Sequence, residues 1–304
     1  MARVLGVDIG GTGSRARLSV DGRTVAEATA SSANPATVGL REAERVLDEL
    51  LRALPLGEGA ALDAACAGAA GVVGGSPEAA RLFAERLAPL VGSGRVAVVP
   101  DVVLVLPAAG LERGVALICG TGSAAFACDG AVSARAGGWG YLLGDEASGY
   151  WLVRQALRSL LGRADRAQPL GPLGAALLEA AGATTVVGLR HEFYQDPWPG
   201  RWAALAPVVL SSEDPAAGAI LEEAARSLDE LVGAALERLG HPAGLPVVLA
   251  GGLTSDARFC DVVTGHLRRS RPASAVSVLR EPPVAGAVRL AERAAEGRDW
   301  PPAL

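Results

Sequence analysis

Lysine is absent: all 28 basic residues of the chain are arginine. A Walker-type phosphate loop requires a Gly-Lys pair, so that loop is excluded. With abundant Ala and Gly, the missing lysine reflects a GC-rich coding genome and carries no functional meaning. Cysteine is scarce, at Cys66, Cys119, Cys128 and Cys260, and none of the four forms a C-x-x-C pair. That spacing excludes a zinc or disulfide framework and fits free thiols in a reducing compartment. The three histidines, His191, His241 and His266, show no ligand spacing and read as surface or structural residues. The longest uncharged apolar runs, such as 64–75 and 102–111, fall well short of the roughly 20 residues that span a bilayer. The chain begins directly on a strand, so no signal peptide, no membrane association and a cytoplasmic location are expected. An excess of positive charge is also lacking: the formal net charge is -5, and no nucleic-acid partner is expected. At 304 residues, half apolar and a fifth charged, the chain can build two domains with separate cores.

What is present is a repeat. Residues 4–14 are an apolar run ending in Gly11-Thr12-Gly13-Ser14, and residues 115–123 are an apolar run ending in Gly120-Thr121-Gly122-Ser123. Each glycine turn is followed by an alternating segment, an Asp-Gly pair (Asp21-Gly22, Asp129-Gly130) and a second alternating segment. Each turn therefore joins strand to strand, unlike the common phosphate loops whose glycines open a helix. A glycine hairpin can still bind phosphate. Without Cβ atoms in the way, successive backbone N–H groups converge on an anion, and a Thr or Ser hydroxyl adds a donor.

Periodicity extends the repeat to the whole chain. The first half reads strand 4–9, hairpin 15–30, helix 37–54, strand 62–67, helix 77–90, strand 96–99, then a helical stretch from Asp101. Small residues at 66–71 follow the fourth strand, where a backbone or ligand could come close. The second half reads strand 115–119, hairpin 124–136, a helix-rich insertion with a strong helix at 214–239, strand 246–250, helix 256–269, strand 275–279 and helix 284–295. The proline-rich stretches 168–172 and 196–199 read as loops within the insertion. The predicted fold is α/β: two lobes, each a mixed sheet of order βββαβαβα with helices on both faces, around a central cleft. The predicted boundaries are 1–106 for the first lobe, completed by a C-terminal helix at about 284–304, and 107–283 for the second.

Five segments carry a resemblance to a known family: residues 8–14, Asp101, residues 120–123, residues 137–151 and Ala250-Gly251-Gly252. Together they resemble the sugar kinase, heat-shock-protein and actin ATPase superfamily, with its actin-like, ribonuclease H-like lobes. Within it they resemble the N-acetylglucosamine kinases of the BadF/BadG/BcrA/BcrD ATPase family. A lone Gly-Thr-Gly-Ser is weak, but segment 137–151 is long and specific, and the order and spacing of the set are strong.

The resemblance implies ATP and Mg²⁺ as cofactors and an amino sugar as acceptor, most simply N-acetylglucosamine phosphorylated on its 6-hydroxyl. It implies that Asp8 orients Mg²⁺ through its water shell, and that Gly10, Gly11, Thr12, Gly13 and Ser14 with Gly120, Thr121 and Gly122 cradle the β and γ phosphates. Gly251 and Gly252 would contact adenosine. Asp101 would be the catalytic base and, with Asn34, Ser123, Gly138, Trp139, Gly140 and Asp145, would line the sugar pocket. The residues also have plainer readings. Asp8 suits an Asx-type turn, Asn34-Pro35 a turn, and Asp101 and Asp145 helix N-caps, while Tyr150 and Trp151 suit the core. N-acetylmuramic acid or glucosamine are alternative acceptors. An activator ATPase of 2-hydroxyacyl-CoA dehydratases would need paired iron–sulfur cysteines, which Cys119 and Cys128 do not offer. A non-catalytic sugar sensor would carry a helix-turn-helix ahead of the first motif. A homodimer is the default assembly.

Overall fold

The computed structural model describes residues 2–57, 61–70, 72, 77–240 and 244–300. Gly71 of the small-residue run, His241 and the end of the C-terminal segment at 301–304 lie outside the described residues. The strands are β1 (Arg3–Ile9), β2 (Gly13–Val20), β3 (Arg23–Ser31), β4 (Ala64–Ala69), β5 (Val96–Pro100), β6 (Gly114–Cys119), β7 (Ser123–Cys128), β8 (Ser133–Gly137), β9 (Val247–Ala250) and β10 (Val276–Val278). The helices of the first half are α1 (Pro35–Val38), α2 (Leu40–Arg52), α3 (Pro77–Leu87) and α4 (Val105–Ala108). The insertion supplies α5 (Gly149–Asp165), α6 (Gly171–Ala180), α7 (Val186–Gln195), α8 (Pro199–Ala203), α9 (Ala206–Leu210) and α10 (Pro215–Arg238). The chain closes with α11 (Ala257–Ser270) and α12 (Val284–Ala295). Among the described residues no helix is long and apolar enough to cross a membrane.

Two five-stranded sheets result, ordered β3-β2-β1-β4-β5 and β10-β9-β6-β7-β8. Read from the meander inward, the second is β8-β7-β6-β9-β10, the same topology as the first. The βββαβαβα order thus recurs in both halves, and the fold is the two-lobe α/β fold of the actin-like ATPases. By contacts along the chain, one compact unit comprises 1–116, 126–134 and 279–304, and the other 117–125 and 135–278.

In the first unit, β1 is central, antiparallel to β2 and parallel to β4, and β4 is parallel to β5. Residues of β1 are buried on both faces, as a strand covered from both sides requires. Val46, Leu47 and Leu50 of α2 and Phe83 and Leu87 of α3 pack into this core. The last helix, α12, lies on β1, β4 and α4. Glycine makes that approach possible: a Cβ on Gly6 would come 2.6 Å from the Val288 amide nitrogen. A Cβ on Gly286 would overlap the Leu104 carbonyl and lie 2.9 Å from the Ala108 nitrogen. Helix and strand therefore touch backbone to backbone.

Several expectations shift by a few residues. The helix expected at 37–54 is two, because Gly39 takes a left-handed φ of 79° between α1 and α2. Leu62 makes only an isolated bridge to Val91, and the strand proper starts at Ala64. The stretch after Asp101 is a 3₁₀ turn at Asp101–Leu104 before the short α4. Pro172 and Pro199 sit within the first two positions of α6 and α8 instead of in loops, where their missing N–H costs nothing.

Candidate active site

The β1–β2 turn is closed by the pairing of Ile9 with Ser14 and by Gly10 N–H donating to the Gly13 carbonyl at 3.0 Å. A Cβ on Gly11 would meet no neighbouring atom, and Thr12 and Gly13 are exposed, so the turn presents free backbone to solvent. Ser14 is buried, its hydroxyl accepting from the Ala33 amide at 3.0 Å. Ser32 donates its hydroxyl to the Gly10 carbonyl at 3.0 Å and accepts from the Asn34 amide at 3.2 Å. These bonds lace segment 32–34 to the glycine turn and fix Asn34 beside it. The Asn34 Oδ1 accepts from the Ala36 amide at 3.0 Å, so the residue does cap α1 as an Asn-Pro turn, while its amide nitrogen can still donate to a ligand.

Asp8 stands next to last in β1, paired with Arg15 on β2 and Gly68 on β4. Asp101 follows Pro100, the last residue of β5, and its Oδ1 accepts from the Val102 amide at 2.9 Å. Both carboxylates therefore lie at the carboxyl ends of parallel strands, where open α/β sheets bind ligands. Burial pushes the Asp8 carboxyl up to about 7, the Asp101 charge pushes the same way, and Arg15 opposes them. This is the arrangement of a site that awaits positive charge. Among the described residues no group of three His, Cys, Asp or Glu could cage a metal ion. The pair fits Mg²⁺, which keeps much of its water and takes phosphate oxygens along with one or two carboxylates.

In the second unit, Gly120 N–H donates to the Gly122 carbonyl at 2.9 Å, repeating the first turn with one residue fewer. The segment 137–149 is bound to this turn at several points. Gly138 N–H donates to the Ser123 carbonyl at 2.9 Å, Gly149 N–H to the Gly120 carbonyl at 2.7 Å, and the buried Ser123 hydroxyl to the Glu146 carbonyl at 2.6 Å. The Asp145 carboxylate joins the two loops by accepting from the backbone amides of Ser123 and Gly140. Burial raises its pKa, and those two amides pull it partly back. Gly122 leaves the room it needs, since a Cβ there would lie 2.7 Å from Oδ2.

Asp145 does not cap α5. Ser148 does, accepting from the Trp151 amide at 3.2 Å. Asp145 and Ala147 instead hold left-handed φ angles of 58° and 65°, a conformation that costs a non-glycine residue of order 1–3 kcal/mol and concentrates at ligand sites. Trp139 is 73% exposed, whereas Tyr150 and Trp151 are buried. Gly251 follows β9 with φ 104°, and a Cβ there would overlap the Cys119 carbonyl, so glycine is required. Gly252 opens a 3₁₀ turn whose Thr254 and Ser255 hydroxyls donate back to the Gly251 and Gly252 carbonyls at 2.7 and 2.8 Å.

The first unit thus brings together Asp8, the turn 10–14, Asn34 and Asp101. The second brings together the turn 120–123, Gly138, Gly140 and Asp145 with Gly251 close by the end of β6. Sequence reasoning missed Arg15, Ser32 and Glu146, which act on the site through other groups. Arg15 directly follows the first glycine turn, but Ser32 reaches that turn from 22 residues away and Glu146 acts through its backbone carbonyl, so neither carries a local signal.

The chain is similar to several known proteins. Residues 5–289 match the profile of the BadF/BadG/BcrA/BcrD ATPase family. An N-acetylmuramic acid/N-acetylglucosamine kinase of Clostridium acetobutylicum is 29% identical over 96% of this chain and 98% of its own. An N-acetyl-D-glucosamine kinase of Dictyostelium discoideum is 33% identical over a segment spanning 59% of each chain. A crystal structure from Chromobacterium violaceum, provisionally named an N-acetylglucosamine kinase, superposes with a TM-score of 0.76 at 28% identity, covering 95% of this chain and 98% of that one.

Proposed function

We propose, from the premise that this chain belongs to the BadF/BadG/BcrA/BcrD ATPase family, that it transfers the γ-phosphoryl group of ATP to a hydroxyl of an amino sugar. N-acetylglucosamine, phosphorylated at its 6-hydroxyl, is the first candidate. The observation that carries this reading is the carboxylate pair beside the first glycine turn: Asp8 is charged only at a cost, and Asp101 stands close enough to raise that cost. A cation with bound phosphates relieves the repulsion, and a second carboxylate is then left to face an acceptor hydroxyl.

In this reading Asp101 accepts the proton of the attacking hydroxyl, mainly aligning it, because the loose transition state of phosphoryl transfer asks little of the base. Bound Mg²⁺, oriented by Asp8 through water, would neutralise charge on the phosphates. Gly11, Thr12 and Gly13, and in the other turn Gly120, Thr121 and Gly122, present N–H and hydroxyl donors to phosphate oxygens. Gly10 and Ser14 hold the first turn in shape, and Gly251 and Gly252 contact adenosine. Asn34, Ser123, Gly138, Trp139, Gly140 and Asp145 bind the sugar. Ser123 and Asp145 do so from loops that their own hydrogen bonds have already fixed, which lowers the ordering cost of binding.

The name of the Clostridium acetobutylicum relative supports N-acetylmuramic acid as a second acceptor. A coupled ADP-release assay against N-acetylglucosamine, N-acetylmuramic acid, glucosamine, N-acetylmannosamine and glucose tests both. Turnover is expected on the first or the second, and release that no sugar stimulates would refute the kinase reading.

A further inference from the structure

Away from the glycine turns, α5 and α7 enclose a groove of about 240 Å³. This is near the lower end of the volumes that hold small organic ligands. Leu157, Leu189 and Phe193 supply an apolar lining, and among the described residues that line it Arg154, Arg158 and Arg190 are the charged groups, with no carboxylate beside them. Several arginines elsewhere pair with acids, as Arg17 with Glu27, Arg45 with Glu42 and Arg201 with Glu192.

The three groove arginines make no such pair among the described residues. Arg154 donates to the Tyr141 carbonyl at 3.3 Å and lies over the Tyr150 ring, Arg158 donates to Gln155 at 3.2 Å, and Arg190 lies 5.5 Å from the centre of the Tyr194 ring. The Arg154 Nε is buried without a hydrogen-bond partner. A buried donor left without a partner is unfavourable until an acceptor reaches it. Three cations of one sign also repel one another across an apolar surface, where the field is poorly screened. A net charge of -5 for the whole chain makes this local excess of positive charge a feature of the groove and not of the composition.

We propose that this groove is a ligand site for an organic anion with an apolar body: a carboxylate, sulfonate or phosphomonoester carrying an aryl or short alkyl group. The acid would meet the guanidinium donors, and the body would cover the leucines and Phe193. Guanidinium groups suit this role because their fork of donors matches the two oxygens of such acids. The inference concerns binding alone and stands apart from the reaction proposed above.

The test uses the full chain and 8-anilinonaphthalene-1-sulfonate, an aryl sulfonate that fluoresces when shielded from water, with N-phenyl-1-naphthylamine as its uncharged analogue. The expected result is one saturable sulfonate site per chain, unaffected by saturating ATP and N-acetylglucosamine, with the neutral analogue bound at least tenfold more weakly. Arg158 and Arg190 are exposed, so R158E/R190E is expected to melt like the parent while losing at least tenfold in probe affinity. The milder R158Q/R190Q should fall between. Equal affinity in parent and R158E/R190E would overturn the proposal, as would displacement of the probe by ATP. It would also be overturned if the parent sediments as a dimer that binds no probe while R158E/R190E sediments as a monomer, since the groove would then be a self-interface.

Discussion

Replacing Asp8 with Asn should make the ligand-free protein more stable, and by an amount that grows with pH. The Asp8 carboxyl is raised from its ordinary 3.8 to about 7, chiefly by burial and next by Asp101. Below pH 4 the residue is protonated in both the folded and the unfolded chain, and its titration changes nothing. Between about 4 and 7 the unfolded chain loses the proton while the folded chain keeps it, so stability falls as pH rises. Above 7 the loss is complete. Three pKa units at 1.36 kcal/mol each set a ceiling of about 4 kcal/mol, of which well over half should open between pH 5 and pH 8. Asn has the same shape and never ionises, so the variant escapes this loss. At roughly 2 °C per kcal/mol for a chain of this size, the melting-temperature gap between variant and parent should widen by about 5 °C across that range. Differential scanning fluorimetry at constant ionic strength, without nucleotide or Mg²⁺, measures the gap directly, and pH effects from other groups cancel in the comparison. A gap that stays constant from pH 5 to 8 would refute the argument that Asp8 is held neutral by its surroundings. The same variant should be nearly inactive, since it cannot orient the cation.

Asp101→Asn should melt no lower than the parent, since it relieves the repulsion on Asp8, and should keep the KM for sugar while lowering kcat by about 10²-fold or more, the usual contribution of a positioned base. Steady-state kinetics showing near-parental turnover would remove Asp101 from that role. Thr121→Val should raise the KM for ATP by up to about tenfold, the worth of one neutral hydrogen bond, and leave that for sugar nearly unchanged. A change in the sugar KM alone would place the second turn on the other substrate. Gly286→Ala should destabilise the fold by about 1–3 kcal/mol or more, because the added Cβ meets the Leu104 carbonyl and cannot be accommodated by a side-chain rotation. A chemical denaturation midpoint equal to the parent's would show that α12 can lift away at no cost.

The element order was legible because each piece carries its own period. Asp21-Gly22 and Asp129-Gly130 announce hairpins, and residues 284–295 read as the helix that α12 turns out to be. Boundaries went astray where one backbone angle outweighs a run of side chains, as at Gly39, whose left-handed φ divides a helix that the spacing of Leu and Val would have continued. In the site, the glycine turns were visible because the same Gly-Thr-Gly-Ser follows an apolar run twice. The role of Asp145 was not. Its left-handed backbone and its bonds to the Ser123 and Gly140 amides depend on two loops meeting in space, and local propensity favours a helix cap at such a residue. The opposing effects of Asp101 and Arg15 on Asp8 are likewise set by strand register, which no stretch of sequence displays by itself.

The seat of α12 on β1 also has a meaning for synthesis. Gly6 and Gly286 press together segments from opposite ends of the chain, so the face of the first sheet that α12 covers is not fully covered until the last helix leaves the ribosome. At roughly 5–20 residues per second, the nearly 200 residues between β5 and α12 take about 10–40 s to make. Throughout that interval the nascent first unit holds β1, β2, β4 and β5 with one face covered only in part, by the turn that carries Leu104, long enough for chaperones or neighbouring chains to find it. A ribosome that stops short of residue 284 would release a chain lacking the cover for β1, and quality control would read the loss of α12 as a defect in a strand made about 280 residues earlier.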